Sequence, residues 1–235
     1  MDENSNYIGS YADMVTQIAE NVEQVYFAGQ KSEYDRFWDE FQDNGNRTIY
    51  QQAFRYNWTD EIFKPKYDIR TASNGANQMF QSSRLVDLKG CLEKQGVVLD
   101  TSNATSLLQM FQSSLVKYIP TIDARKSTNN SYTFSTNAII SIEKLISSDT
   151  THYVSSTFNS NSIESLIIEG TIGVNGFNVS TCKKLSHESL MSIINALKDL
   201  SGTDKTATVT LGSTKLAKLT DAEKAIATEK GWTLA

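Results

Sequence analysis

The phrase MFQSS occurs twice, beginning at Met79 and at Met110, and this near-duplication constrains the fold more than any other feature of the chain. Each copy places a phenylalanine ahead of a short polar stretch and then apolar residues. Two further segments do the same, TFSTNAIISI from Thr133 and TFNSNSIESLII from Thr157. Phe80, Phe111, Phe134 and Phe158 thus follow one another at intervals of 31, 23 and 24 residues. In three copies an apolar residue stands five positions after the ring (Leu85, Ile139, Ile163) and another eight positions after it (Leu88, Ile142, Leu166). The second copy reads as one residue shorter, with Leu115 and Tyr118 in those places. Phe54, with Trp58 and Ile62, reads as a degenerate earlier copy.

A period in the twenties is the mark of a solenoid, in which one coil cannot bury its apolar face alone and stacks on the next. Equivalent strands then lie about 4.8 Å apart, so one residue type recurs in an internal ladder. Phenylalanine suits that ladder because offset rings bury large areas. The competing reading is four unrelated phenylalanines in a loop-rich domain. A single interior column of rings separates the two.

The remaining chain divides around this repeat. Ile8, Tyr11, Val15, Ile18, Val22 and Val25 form an a/d heptad stripe on a helix about 27 Å long. Isoleucine and valine at the seam favour more than two strands, which predicts a homotrimer; the alternative is an amphipathic helix folded onto its own domain. The expected organisation is an oligomerisation helix over 1–29, a helical, aromatic-rich cap over 30–70, the solenoid over 71–180, and a helix-strand cap over 181–235. Within the last, Ser186 is the expected N-cap of a helix carrying Leu190, Ile193, Ile194, Leu197 and Leu200 and closing at Gly202. The strand TATVTLG follows. A capping box at Thr220 and Glu223 then opens the last helix, and a short strand ends the chain.

The MFQSS copies, the stretch IEGTIG at Ile168–Gly173 and the ending LTDAEKAIATEKGWTLA resemble the BspA-type leucine-rich repeat proteins of gut anaerobes and their phages. The likeness covers approximately residues 35–235. It implies an α/β solenoid, an irregular leucine-rich-repeat-like right-handed stack, with a recognition or adhesion role. Association of such proteins with tail genes implies host binding. Copy lengths here are irregular and the copies hold few leucines, unlike the commoner pattern.

Composition and motifs exclude several other classes. The chain has 22 Lys and Arg against 27 Asp and Glu, without the basic stripe that a nucleic-acid groove needs. No apolar run is long enough to span a bilayer, and the polar N-terminus lacks the features of a secretory signal. His152 and His187 have no partners at metal spacing, and no nucleotide or nucleophile-elbow motif occurs, so neither a metal nor a cofactor is expected. Cys91 and Cys182 read as free, buried thiols. The carboxylates Asp87, Asp100, Asp123, Glu143 and Glu169 fall in different copies without a visible catalytic pair.

With no catalytic motif visible, the function the resemblance implies is non-enzymatic: a phage tail or tail-fibre protein that binds a host receptor, located on the virion. Its partners would be its own copies, other tail proteins and a bacterial surface glycan or protein. Two alternatives stand beside it, a bacterial cell-surface adhesin of the same fold and a glycan-cleaving tailspike. Asn129, Asn130, Tyr132, Tyr153, Asn159 and Asn161 are the candidate ligand contacts, because tyrosine supplies rigid area and asparagine adaptable hydrogen bonds.

Overall fold

The computed structural model describes residues 69–70, 76–83, 85–95 and 99–235. The heptad residues Ile8, Tyr11, Val15, Ile18, Val22 and Val25 lie outside these, as do the 1–29 segment, nearly all of 30–70, and Phe54 with its partners. Helices and strands are mixed, and among the described residues no sheet closes on itself. The elements in chain order are β1 (Ile69–Arg70), α1 (Leu88–Gln95), β2 (Leu99–Asp100), β3 (Tyr118–Ile119), β4 (Ile122–Asp123), β5 (Ser141–Ser147) and β6 (Ser165–Gly170). Then follow α2 (His187–Ala196), β7 (Ala207–Val209), α3 (Ser213–Leu216), α4 (Asp221–Glu229) and β8 (Trp232–Leu234).

Every strand pairing among the described residues is parallel, and partners lie more than twenty residues apart in sequence. Parallel pairing cannot be made by a tight hairpin, so each segment must travel out and return before it meets its neighbour. β5 lies at the centre of the largest sheet. One of its edges pairs first with β3 and then with β4, the two being separated by Pro120, which has no amide to donate. The other edge pairs with β6, with a register shift between Ile142 and Leu145.

The four phenylalanines form one column. Ring centroids are 5.4 Å apart for Phe80 and Phe111, 5.9 Å for Phe111 and Phe134, and 5.3 Å for Phe134 and Phe158, all near-parallel. All four are buried. A regular backbone ladder sets this spacing. The amides of Phe80, Phe111 and Phe134 donate to the carbonyls of Met110, Thr133 and Thr157, each the residue before the next ring. Tyr153 and Phe177 extend the aromatic cluster at the far end, with Phe177 5.0 Å from Phe158.

The duplicated phrase repeats a backbone shape as well as a ring. Gln78 and Ser82 flank Phe80 with φ near 56°, and Gln109 and Ser113 flank Phe111 in the same way. Such left-handed residues are unfavourable when not glycine, and hydrogen bonding must hold them. The amides of Gln78 and Ser82 donate to Leu108 and Gln112. Gln78 and Gln81 also donate side chain to side chain, at 2.7 Å each, to Gln109 and Gln112. In the third copy only Tyr132 keeps the left-handed position.

Burial corrects the spacing read for the second copy. Leu115 and Tyr118 are 48% and 43% exposed, whereas Val116 and Ile119 are buried. The second copy is therefore not shortened: the five- and eight-residue spacing holds in all four, as Leu85/Leu88, Val116/Ile119, Ile139/Ile142 and Ile163/Leu166, all buried. The cause is strand pairing. Lys117 N donates to Val86 O, and Tyr118 pairs with Ser141, which turns Val116 and Ile119 inward.

The C-terminal part closes the sheet. Ser186 is the N-cap of α2, accepting from Ser189 N, but the helix ends at Ala196 rather than near Gly202. Leu197 leaves it in an extended conformation and bridges to Ile172, so the expected helical positions Leu197 and Leu200 are buried outside the helix. Helix α2 also covers the free edge of β6. Ser189 and Ser192, one turn apart, accept from the amides of Leu166 and Ile168 at 2.9 and 2.8 Å. Those serines supply what a further strand would otherwise supply. The capping box of α4 is present, with Thr220 and Glu223 bonded reciprocally. Beyond it, β8 pairs with β7, and the Trp232 indole donates to Lys198 O at 2.8 Å.

Candidate recognition surface

Strand pairing lines up one row of side chains across the sheet. Asp87 bridges to Tyr118, Tyr118 pairs with Ser141, and Ser141 pairs with Ser165. Each of these lies seven positions after a column phenylalanine, next to the buried eighth position, so alternation turns it outward. With strands about 4.8 Å apart, the row is about 14 Å long.

The row floors an open groove of about 460 Å³, lined also by Lys89, Gly90, Glu93 and Glu143. Asp87 holds the first turn of α1, its Oδ1 accepting from Gly90 N at 2.9 Å. Lys89 makes an ion pair with Glu143 at 3.1 Å, and that hydrogen bond and charge raise the lysine pKa. Lys89 also approaches Glu93 at 3.9 Å. The hydroxyls of Ser141 and Ser165 make no hydrogen bond to a described residue. Asp87 and Glu143, distant in sequence, are thus brought to one groove. The other repeat carboxylates are occupied elsewhere. Burial acts to raise the pKa of Asp123, but the Arg125 guanidinium, 2.6 Å away, outweighs it and holds the group below its usual range. Glu169 pairs with Lys144 at 2.6 Å.

The expected ligand residues divide between surface and interior. Asn129, Tyr132, Asn159 and Asn161 are exposed. Asn129 folds its side chain back to accept from Ser131 N, and Asn161 N donates to Asn137 Oδ1. Asn130 and Tyr153 are internal, which corrects their assignment to a ligand face. Asn130 accepts from Ser127 Oγ and donates to His152 O at 2.6 Å, bridging two segments. Tyr153 is buried, and its hydroxyl donates to Ser147 Oγ at 2.9 Å. Burial pushes its pKa well above the ordinary tyrosine range, with only partial relief from Ser147. Both residues occupy turn segments that look solvated in sequence but pack against a neighbouring segment.

Two further reactive groups are sequestered. Cys182 is a buried free thiol whose pKa burial pushes up to about 11, and its Sγ donates to Phe158 O. Lys215 is buried and donates to Ser180 O at 3.0 Å, and burial lowers its pKa. His187 lies 2.8 Å from Glu223, tying α2 to α4. A second open groove, about 590 Å³, lies beside Asp149, Lys198 and Lys230; Lys198 pairs with Asp149 at 2.7 Å, and Lys230 caps the end of α2 at Asn195 O. Among the described residues, no group of three His, Cys, Asp or Glu could hold a metal, and no helix is long and apolar enough to cross a membrane.

Sequence reading did not identify the Asp87–Tyr118–Ser141–Ser165 row. The signal was available in the seventh position after each phenylalanine, once the second copy is aligned without a gap. No protein-family model, curated protein or solved structure matches this chain.

Proposed function

We propose that this protein is a non-enzymatic recognition module. In this reading its segments form an irregular leucine-rich-repeat-like right-handed solenoid, displayed as a homotrimer on a phage tail to bind a bacterial surface. The observation that carries it is the exposed Tyr118 within a register-fixed polar row, on a scaffold whose interior is a column of stacked rings. A tyrosine held outward by backbone pairing offers contact area at little entropic cost. The placement on a tail rests on the resemblance of the repeat and C-terminal phrases to BspA-type proteins. Trimeric display would multiply a weak single-site affinity through effective concentration.

The test is adsorption of the fluorescently labelled full chain to a panel of gut anaerobes, with its mass measured by light scattering. Saturable adsorption to some strains and a mass near three chains support the proposal. A monomeric mass, or adsorption to none, refutes the corresponding part. Release of reducing ends from the bound surface would instead favour a cleaving tailspike.

A further inference from the structure

Resting on that recognition reading, we propose that the groove between α1 and the sheet is a saccharide subsite. The Tyr118 ring is its stacking platform, Asp87, Ser141 and Ser165 are its hydrogen-bonding row, and it takes a neutral or amine-bearing oligosaccharide rather than an acidic one.

The chemistry of the lining selects this ligand. A sugar ring has an apolar C–H face and an equatorial fringe of hydroxyls. The first needs an exposed aromatic ring, and Tyr118 is 43% exposed in a row whose other members are polar. The second needs acceptors and donors side by side. A carboxylate only accepts, whereas a serine hydroxyl does both. Asp87 has one oxygen committed to Gly90, which leaves its second oxygen to accept from a ligand hydroxyl. Ser141 and Ser165 bring hydroxyls not bonded to described residues. All sit at spacings fixed by backbone pairing, so little ordering accompanies binding.

Charge sets the preference within saccharides. Three carboxylates, Asp87, Glu93 and Glu143, line the groove against one ammonium, Lys89, which is itself held by Glu143. An acidic sugar would meet like charge; an amine would find the carboxylates and the face of Tyr118. An extended peptide added as a strand fits less well. The edge of β6 that would receive it has its Leu166 and Ile168 amides taken by Ser189 and Ser192.

The experiment uses the full chain with three probes, the trimers of N-acetylglucosamine, glucosamine and galacturonate, read by saturation-transfer NMR and calorimetry. Adsorption to cells before and after periodate, which cleaves vicinal diols, runs alongside. Binding of the neutral or amine trimer, or periodate-sensitive adsorption, is expected. Either should weaken at least about tenfold, equivalent to ~1.4 kcal/mol, in Tyr118→Ala and persist in Tyr118→Phe. A preference for the galacturonate trimer, undiminished binding by Tyr118→Ala, or adsorption that survives periodate while neither the neutral nor the amine trimer binds overturns the saccharide subsite while leaving recognition standing. Adsorption to no cells and binding of no trimer overturns both.

Discussion

Replacing Phe134 with alanine removes an interior ring of the column, stacked on a neighbouring ring on each side. Its centroid lies 5.9 Å from Phe111 and 5.3 Å from Phe158, and the residue is buried. Truncating a packed phenylalanine costs about 3–5 kcal/mol, from lost transfer energy and the cavity left behind. Backbone bonds from Phe111 N to Thr133 O and from Phe134 N to Thr157 O hold the segments apart, so the site cannot collapse to fill the void. That places Phe134→Ala near the upper end, about 4–5 kcal/mol, a large part of the ~5–15 kcal/mol stability of an ordinary domain. Phe134→Leu keeps much of the volume but loses the ring contacts, each worth ~0.5–1.5 kcal/mol beyond burial. Urea titration followed by circular dichroism measures both, and a cycle with Phe111→Ala isolates the pair. A loss under about 1 kcal/mol for Phe134→Ala, or no coupling to Phe111, would refute stacking as the source of rigidity.

Three other perturbations probe separate parts of the fold. Ser189→Ala with Ser192→Ala strands the edge amides of Leu166 and Ile168; each serine should cost ~1–3 kcal/mol, and hydrogen exchange at those two amides should accelerate. Unchanged protection there would show that the helix does not close the sheet. Cys182 has a folded pKa raised from 9.0 to about 11, so the native state retains its proton where the unfolded chain has lost it. The corresponding stability is complete below pH 9 and declines as pH rises toward 11, by an order of 2–3 kcal/mol, and Cys182→Ala should flatten that decline in urea midpoints measured across the window. At the exposed, left-handed Ser113, Ser113→Gly should be neutral or stabilising by up to ~1 kcal/mol, whereas β-branched Ser113→Val should lower the melting temperature; equal effects would contradict the φ of 57°.

The ring column was legible because one large side chain recurs against a background of serine and asparagine, and a stack requires such recurrence. The second copy was misread for a local reason. Leu115-Val116 and Tyr118-Ile119 offer two apolar registers one residue apart, and only pairing with Val86 and Ser141 decides between them. The end of α2 was misplaced because Leu197 and Leu200 keep helical spacing, while the bridge to Ile172, distant in sequence, draws the chain out of the helix. Asn130 and Tyr153 read as ligand contacts from their side-chain chemistry, which says nothing of burial. Their burial comes from partners on other turns, His152 for the amide and Ser147 for the phenol. The candidate groove depends on the same missing information. Asp87, Tyr118, Ser141 and Ser165 share no local motif, and only the corrected alignment of the copies puts them in one row.

The most direct test is a nuclear Overhauser spectrum of the full chain with its phenylalanine rings selectively labelled and assigned by single substitution. Centroid separations of 5.3–5.9 Å require ring-proton cross-peaks between Phe80 and Phe111, Phe111 and Phe134, and Phe134 and Phe158, and none between Phe80 and Phe134. Absence of those three neighbour peaks, or a peak joining Phe80 to Phe134, would contradict the column and remove the scaffold on which the recognition row depends.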